Sequence, residues 1–214
     1  MSAPKDAAAR AHARSASGDA EQLQALLRQH PGLVDAASPD TGTTALLQAV
    51  RHGHADCLDL LLAAGADPNK PSEGGVTPLE LAVQSCNLVA VQKLLAAGSD
   101  PNAGRATHMA ATFADPACLE VLLAAGAAVS RTAPQGFYCG STPLHCAAAH
   151  YKTAGRCLSL LLAAGADVEA VDASATTPLP YVCTHYTDPG VLQMLLDAGA
   201  DPNAQDRDGE ASGV

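Results

Sequence analysis

The chain has 214 residues with 12 Lys and Arg against 22 Asp and Glu, and its formal net charge of −10 argues against a protein that holds nucleic acid or an anionic membrane on a basic surface. Apolar residues make up 48% of the chain but aromatic ones only 3%, and Trp is absent, which fits thin layers of Ala and Leu better than a β-sandwich or barrel. The longest apolar runs, such as Leu60–Ala64, end at a glycine, far short of the roughly 18 residues that a membrane span needs.

The N-terminal segment lacks the apolar stretch of a secretory signal. We therefore expect a cytoplasmic or nuclear protein whose seven cysteines are free thiols in a reducing compartment. Lys5, Arg10 and Arg14 among Ala and Ser are also typical of a mitochondrial presequence. Asp6 and the repeat pattern that follows favour a capping helix instead.

Five similar pentapeptides divide the chain. Four read Leu-Leu-Ala-Ala-Gly and the last has Asp in place of the first Ala; their glycines are separated by 33, 28, 39 and 34 residues. They are Leu61–Gly65, Leu94–Gly98, Leu122–Gly126, Leu161–Gly165 and Leu195–Gly199. A second phrase, usually Thr-Pro-Leu, begins at Thr44, Thr77, Thr142 and Thr177. A period of this length indicates an array of small repeated units.

Each repeat predicts two short helices. Thr caps the first helix through its hydroxyl, and Pro fits the first turn, where its missing N–H costs nothing. The second helix carries apolar residues at helical spacing, as in Leu58, Leu61 and Leu62, and ends at Gly65, because glycine forms a left-handed C-cap at the least cost. The Asp-Pro-Asn that often follows cannot continue a helix and forms a turn into the next repeat.

The phrases Thr-Pro-Leu-His-x-Ala-Ala, from Thr142, and Leu-Leu-x-x-Gly-Ala-Asp-x-Asn, at Leu61–Asn69, are similar to those of ankyrin repeats. The resemblance covers nearly the whole chain. It implies an all-α solenoid of helix-turn-helix units with projecting β-turn fingers, in which neighbouring units complete each other's core. It also implies a scaffold or adaptor that binds a partner protein through its concave groove and fingers. We expect a monomer without a cofactor.

We assign the ankyrin-repeat domain to residues 6–209. Six repeats are predicted, at 6–40, 41–73, 74–102, 103–139, 140–174 and 175–205. The first is degenerate, since Gly18, Asp19 and Leu23 fit the pattern but no Thr-Pro-Leu-His precedes them; its polar first helix suits a terminal cap. Residues 206–214 form a tail that enters an incomplete further repeat. Either the chain is cut short, or something covers the apolar side of Leu192 and Leu195.

Departures from the pattern predict the binding surface. The finger before Arg105 is about five residues shorter than usual, the one at Ala127–Gly140 is about four residues longer than usual, and the turn around His150 gains two residues. Most of the aromatic residues fall in such fingers and turns, on the edge that faces the groove in ankyrin repeats, and Tyr is favoured at interfaces. Packing of the enlarged turns against each other is the alternative. The predicted partner-binding residues are Phe113, Phe137, Tyr138, His150, Tyr151, His185 and Tyr186, with Arg51, His52 and Gln84 at equivalent turns.

Enzyme chemistry finds little support. No phosphate-binding loop, nucleophile elbow or zinc-protease motif is present. Cys139 and Cys146 beside His145 are the one pairing that suggests a Cys–His nucleophile, but the repeat pattern explains them better. His145 is similar to the structural histidine of ankyrin repeats, which ties adjacent fingers together. We expect no enzyme.

A metal site is also not expected. His52 and His54 lie close to Cys57, but Gly-His at the turn between helices is the ordinary ankyrin pattern, in which the imidazole bonds to the backbone. Cys57, Cys118 and Cys157 recur at one repeat position that elsewhere accepts Ala or Val, so this position is a packing slot. No Cys-x-x-Cys pair is present.

The family resemblance leaves three further possibilities open. Asn69, Asn102 and Asn203 stand in a context similar to sites of asparaginyl hydroxylation in ankyrin proteins, although Asn also stabilises the finger turn. The irregular repeats look like those of substrate receptors of ubiquitin ligases that join ankyrin repeats to a SOCS box, but no such box is seen in this sequence. A secreted bacterial ankyrin effector is the remaining alternative.

Overall fold

A computed structural model describes residues 3–38, 41–113, 115–133, 140–149, 154–185 and 189–204. Within these ranges the regular elements are twelve α-helices and one 3₁₀ turn, so the predicted all-α class is confirmed. The chain divides into two compact units, Met1–Gly104 and Arg105–Val214, which are described separately below. Each of the six predicted repeats contains one helix pair, while the exact repeat boundaries stay a prediction.

The first unit contains three helix pairs. They are α1 (Ala3–Ser17) with α2 (Ala20–Gln29), α3 (Ala45–His52) with α4 (Ala55–Ala63), and α5 (Pro78–Gln84) with α6 (Leu88–Ala96). The first helices α1, α3 and α5 pack in one row, and the second helices α2, α4 and α6 pack in a second row against them. The 3₁₀ turn Pro31–Leu33 follows α2 and contacts both helices of its pair.

The second unit repeats this arrangement. Its pairs are α7 (Ala106–Thr112) with α8 (Pro116–Ala124), α9 (Pro143–Ala148) with α10 (Ala154–Ala163), and α11 (Pro178–His185) with α12 (Pro189–Asp197). The helices α7, α9 and α11 form one row, and α8, α10 and α12 form the other. In both units each helix pair therefore buries its apolar side against the next pair in sequence.

The repeated Thr begins the first helix of a pair, as predicted. The hydroxyl of Thr44 accepts the N–H of Leu47 at 3.3 Å. Thr77 forms a full capping box, because its hydroxyl accepts the N–H of Glu80 at 3.2 Å and the Glu80 carboxylate accepts the N–H of Thr77 at 2.9 Å. Pro78 then occupies the first turn.

Thr177 is the exception, and here the predicted cap is wrong. Its hydroxyl is buried and has no hydrogen-bond partner among the described residues. A capping hydroxyl normally accepts the N–H of the third helical residue, which in α11 is Pro180. Because proline has no N–H, this cap cannot form.

The glycines after the second helices form the predicted left-handed caps. Gly65 has φ +88°, and the N–H of Ala66 donates to the carbonyl of Leu61 at 3.0 Å while that of Gly65 donates to Leu62 at 3.0 Å. These are the two hydrogen bonds of the Schellman motif. The packing slot is confirmed as well: Cys57, Cys118 and Cys157 are each completely buried.

Candidate functional site

In each unit the exposed ends of the first helices form a surface that we call the turn edge, defined as the last turn of each first helix and the turn into the second. In the first unit its exposed residues include Arg51, His52, Gln84, Ser85 and Cys86. Because α3 and α5 pack side by side, the ends of these two helices are neighbours. The three predicted binding residues of this unit, Arg51, His52 and Gln84, therefore lie at the ends of two neighbouring helices.

Two histidines shape the first part of the turn edge. The Nε2 atom of His54 lies 3.0 Å from the carbonyl oxygen of Ala16. Since a carbonyl oxygen only accepts, the ring donates this hydrogen bond. A Cβ atom on Gly18 would lie 2.7 Å from the Nδ1 atom of His54, so only glycine allows this close approach. The exposed ring of His52 stacks on His54 with ring centres 6.2 Å apart. The predicted backbone-bonded histidine is confirmed.

Arg51 and Gln84 supply polar groups on the same edge. Arg51 stands in the last turn of α3, where a cation interacts favourably with the negative end of the helix dipole. Neither the guanidinium group of Arg51 nor the side-chain amide of Gln84 has a hydrogen bond or ion pair to another described residue. Both side chains can therefore bond to acceptors and donors on another molecule.

In the second unit Phe113 is the aromatic residue of the turn edge that the structure describes. It caps the C-terminus of α7, its N–H donates to the carbonyl of Met109 at 2.8 Å, and 47% of the residue is exposed. An aromatic ring held on a fixed helix end and half open to solvent can bury a large area against a partner at little cost in side-chain entropy.

Most of the other predicted aromatic contacts cannot be placed. Phe137, Tyr138, His150, Tyr151 and Tyr186 lie outside the described residues. His185 ends α11, but its side chain is not among those described. For these six residues the binding role stays a prediction.

Tyr181 is not among the predicted binding residues, and its surroundings give it a structural role. Its hydroxyl donates to the Oδ2 atom of Asp172 at 2.5 Å, and its ring stands edge-on to His145 with ring centres 6.0 Å apart. Burial, followed by the hydrogen bond and the charge of Asp172, raises the pKa of Tyr181 well above its ordinary range. Tyr181 therefore fixes α11 to the finger that precedes it.

Three histidines tie helix pairs together through the same contact. His145 donates from Nε2 to the carbonyl of Thr176 at 2.9 Å, which confirms the predicted structural histidine. The Nε2 atom of His108 lies 2.9 Å from the carbonyl of Arg131 and 3.2 Å from that of Ser141, and the Nε2 atom of His12 lies 2.6 Å from that of Thr43.

Sequence reasoning missed His12, because no Thr-Pro-Leu precedes it. The sequence separation between His12 and its partner could have identified it. His12 lies 31 residues before the finger residue that it contacts, and the corresponding separations are 33 for His108 and 31 for His145. Burial lowers the pKa of both His108 and His145, since it disfavours the charged ring.

The buried thiols are poor candidates for nucleophiles. Burial raises the pKa of Cys146 and of Cys157 to about 11, and it also raises the pKa of Cys57. These groups are thus protonated at neutral pH, whereas a reactive cysteine needs the thiolate. Cys139 lies outside the described residues. In the described part of the chain no three His, Cys, Asp or Glu side chains are grouped as metal ligands would be.

The three asparagines of the finger turns differ in their bonding. The amide of Asn69 donates to the carbonyl of Gly98 at 3.1 Å, and its oxygen accepts the N–H of Asp100 at 2.8 Å. Asn69 therefore links two successive turns. Asn203 instead donates to Asp201 within its own turn, at 3.3 Å. A structural role for Asn69 is thus established, and hydroxylation at any of the three, including Asn102, stays a prediction.

No helix in the described ranges is both long enough and apolar enough to cross a membrane. A family model described as ankyrin repeats (3 copies) matches residues 10–105 and 107–206. Among solved structures, the chain is similar to the human ASB11 ankyrin repeat domain, with 27% identity, a TM-score of 0.78, and coverage of 94% of this chain and 89% of the other. It is also similar to an ankyrin repeat domain of Acinetobacter baumannii AYE, with 28% identity, a TM-score of 0.81, and coverage of 90% and 98%.

Two curated proteins share shorter segments. The mouse ankyrin repeat and MYND domain-containing protein 1 is 38% identical over 68 residues, which is 32% of this chain. The Caenorhabditis elegans ankyrin repeat and LEM domain-containing protein 1 homolog is 44% identical over 52 residues, or 24% of the chain. The matched segments span only 7% of the length of each relative. The resemblance read from the sequence and the predicted repeat fold are confirmed.

Proposed function

Because the chain belongs to the ankyrin-repeat family, we propose that it is a scaffold or adaptor that holds a partner protein on its turn edge and fingers. Ankyrin repeats are in general modules of protein–protein interaction, and this general role extends to the present chain. We further propose that it acts as a monomer, in the cytoplasm or nucleus, without binding nucleic acid.

One observation carries the proposal. Packing between the helices buries apolar residues of the second helices, as the completely buried Leu61, Leu94 and Leu122 show. The ends of the first helices instead present Arg51, Gln84 and the half-exposed Phe113. Aromatic and Arg side chains are the types that most often dominate binding energy at protein interfaces.

Affinity capture with two matched triple variants tests this role. The edge variant combines Arg51→Ala, Gln84→Ala and Phe113→Ala. The control variant combines Arg28→Ala, Gln92→Ala and Met194→Ala, which remove the same kinds of group from exposed positions on the second helices. We expect quantitative mass spectrometry to show partners lost from the edge variant and retained by the control. Equal capture by both variants, with unchanged circular dichroism, would rule out this edge as the binding surface.

A substrate receptor of a ubiquitin ligase is a more specific candidate. The likeness to the human ASB11 ankyrin repeat domain supports it, since that likeness extends over 94% of the chain. Capture from cells in which the proteasome is inhibited distinguishes this role from that of a plain adaptor. A receptor is expected to bring down ubiquitin-ligase subunits along with its substrate when the natural full-length product is used as bait.

The likeness to the Acinetobacter baumannii domain supports the other candidate, a bacterial effector. Such a protein would bind a target in the host cell. Capture from a eukaryotic lysate and from a bacterial lysate in parallel tests whether the chain is such an effector. An effector is expected to retain its partner from the eukaryotic lysate alone.

Hydroxylation of Asn69, Asn102 or Asn203 is a further proposal. Asn69 uses both ends of its amide between turns, so its modification requires these turns to open, whereas the bonds of Asn203 to described residues lie within its own turn. We therefore expect Asn203 to be modified more readily than Asn69. Peptide mass spectrometry of the natural protein, scored for the addition of one oxygen at each position, provides the comparison.

A further inference from the structure

A cavity of about 240 Å³ opens at the turn edge of the first unit, between the turn that joins α3 to α4 and the start of α6. Its inner wall is apolar, since it is lined by Val50, Leu58 and Ala90, each of which is at most 2% exposed. Its rim includes the exposed residues Gly53 and Val89, so the cavity is open to solvent on this side. The volume is several times the roughly 30 Å³ of a water molecule, which is enough for one large apolar side chain.

The cavity arises from a difference between two residues at the same repeat position. His54 directly precedes α4, and Asn87 directly precedes α6. The ring of His54 reaches back to the preceding helix pair, where it donates to the carbonyl of Ala16 and would lie 2.7 Å from a Cβ atom on Gly18. A Cβ atom on Gly53, in contrast, would be 4.0 Å from the nearest atom of Asn87. The space that an imidazole occupies between the first two helix pairs is therefore left open between the second and third.

Asn87 places hydrogen-bond donors at this cavity. Its side-chain oxygen accepts the N–H of Ala90 at 3.0 Å and so caps α6. Its Nδ2 atom, which lies nearest to Gly53, makes no hydrogen bond to a described residue, and an amide nitrogen can only donate. An acceptor on another molecule seated in the cavity can therefore bond to Asn87.

Arg51 is an unpaired cation two residues before Gly53 on the rim. None of the described residues that line the cavity is Asp, Glu, Lys or Arg. The other ionisable residues on the helices and turns around it are His52, His54, Asp56, Asp59, Glu80 and Lys93. Of the acidic ones, Asp59 pairs with Lys93 at 2.5 Å, Glu80 is bonded in its capping box, and Asp56 lines a separate groove between α2 and α4. An acidic group of a partner can therefore pair with Arg51 beside the opening.

We propose that this cavity anchors the partner of the turn edge by one large apolar side chain, a Leu, Met or Phe, and that a neighbouring Asp or Glu of the partner accepts hydrogen bonds from Asn87 and Arg51. The inference rests on the function proposed above, because it names the part of the turn edge that is occupied and what the partner presents there. Filling the cavity removes both the side chain and the apolar wall from water. Val89, which is 53% exposed, extends the apolar contact at the rim.

A single carboxylate suits this chain better than a run of acidic residues. The chain has a formal net charge of −10, so it repels a strongly acidic partner. Salt screens such repulsion beyond about 8 Å at physiological ionic strength, whereas a carboxylate that contacts Arg51 interacts at short range. We therefore expect the bound segment to be largely uncharged apart from the acidic residue next to its anchor.

Selection from a phage-displayed library of random peptides on the whole chain tests this chemistry. Asn87→His is the closed variant, since histidine occupies the corresponding space in the preceding repeat, and Gln92→His on the exposed face of α6 is its matched control. We expect the enriched peptides to share a Leu, Met or Phe next to an Asp or Glu. Synthetic copies are expected to bind the control as tightly as the parent chain and the closed variant at least about tenfold more weakly.

A charge exchange tests the role of Arg51. Arg51→Glu is expected to weaken binding of the selected peptide, because the partner's carboxylate then meets a like charge. A peptide whose acidic residue is changed to Lys is expected to bind the parent chain weakly and to recover affinity for Arg51→Glu. If both peptides lose affinity for Arg51→Glu to the same extent, the proposed pairing is wrong.

Enriched peptides that lack the pattern, or that bind Asn87→His as tightly as the parent chain, overturn the proposal, as does a library that gives no bound peptide. If Asn87→His does not fold, ¹H–¹⁵N spectra of the parent chain decide, since the peptide has to shift the amide signals of Gly53, Asn87 and Ala90. The wider function is judged separately by capture from lysate. Partners lost from the edge variant but retained by Asn87→His would overturn the cavity as the anchor and leave the function of the turn edge intact.

Discussion

Glu80 lies directly against Gly104. A Cβ atom on Gly104 would stand 2.6 Å from the carboxyl carbon of Glu80, closer than real contacts allow. Glu80 is the third residue of α5, the position that His145 holds in α9. Because the capping box with Thr77 holds its carboxylate in place, Glu80 cannot turn aside without losing that box. The glutamate at the start of one repeat therefore requires a glycine in the finger that follows.

Replacement of Gly104 by Ala is expected to destabilise the chain by about 2–3 kcal/mol, the sum of a left-handed φ of +73° and the clash with Glu80. Gly75→Ala is the matched control, since Gly75 has φ +77° but nothing within 4 Å of an added Cβ. We expect the control to lose only about 1 kcal/mol. Urea denaturation followed by circular dichroism measures the free energy of unfolding of both variants. Equal losses of this free energy would show that the Glu80 side chain moves aside without cost.

Cys86→Gly is expected to stabilise the chain. Cys86 has φ +50° and occupies the left-handed turn position that Gly53 holds in the preceding repeat. Relief of this strain is expected to contribute about 0.5–1 kcal/mol, since glycine adopts such angles without a steric penalty. Cys86→Ala keeps the strain and removes the thiol, so it should match the parent chain. If the Gly and Ala variants have the same denaturation midpoint, the strain is not present in solution.

Tyr181→Phe is expected to lower the free energy of unfolding by about 1 kcal/mol, through loss of the hydrogen bond to Asp172. Because the pKa of Tyr181 is raised in the fold, this contribution is present below about pH 10 and is lost at more alkaline pH. Absorbance of the phenolates between pH 9 and 13 provides the check. The variant should lack the phenol that ionises at the highest pH. If the variant instead lacks a phenol that ionises at a lower pH, the assignment is contradicted.

Thiol labelling is expected to separate the cysteines by burial. Cys86 is exposed, whereas Cys57, Cys118, Cys146 and Cys157 are buried. The raised pKa values of Cys146 and Cys157, about 11, slow their reaction further, because the thiolate is the reactive form. In a short pulse of an alkylating reagent at pH 7.5, peptide mapping should find Cys86 modified and the four others protected. Their rapid modification without denaturant would contradict the packing described above.

The repeat sequence predicted the fold well because each local rule acts within one helix pair. The glycine that ends a helix, as at Gly65, and the buried slot of Cys57 depend only on near neighbours and on the repeated packing. The rule failed at Thr177, where Pro180 removes the N–H that a cap needs. This failure was readable from the sequence, since both residues stand in the same turn.

The candidate site was predicted less completely. The exposure of Arg51, Gln84 and Phe113 follows from their places at helix ends. The contacts of His12 with Thr43, and of Glu80 with Gly104, join residues in successive repeats. Such pairs are set by how one repeat stacks on the next, so a motif search within one repeat does not find them. The identity of the partner depends on chemistry outside the chain.

Site-specific photocrosslinking tests the central claim, that a partner lies on the turn edge, most directly. A photoreactive amino acid is placed at Gln84 and Phe113 on the edge, and at Gln92 and Glu120 on exposed faces of the second helices. Each chain is irradiated in cell lysate, and its crosslinked products are compared by mass spectrometry. The account predicts a partner crosslinked from position 84 and not from 92 in the first unit, and from position 113 and not from 120 in the second. Crosslinks that arise only from positions 92 and 120 would contradict it.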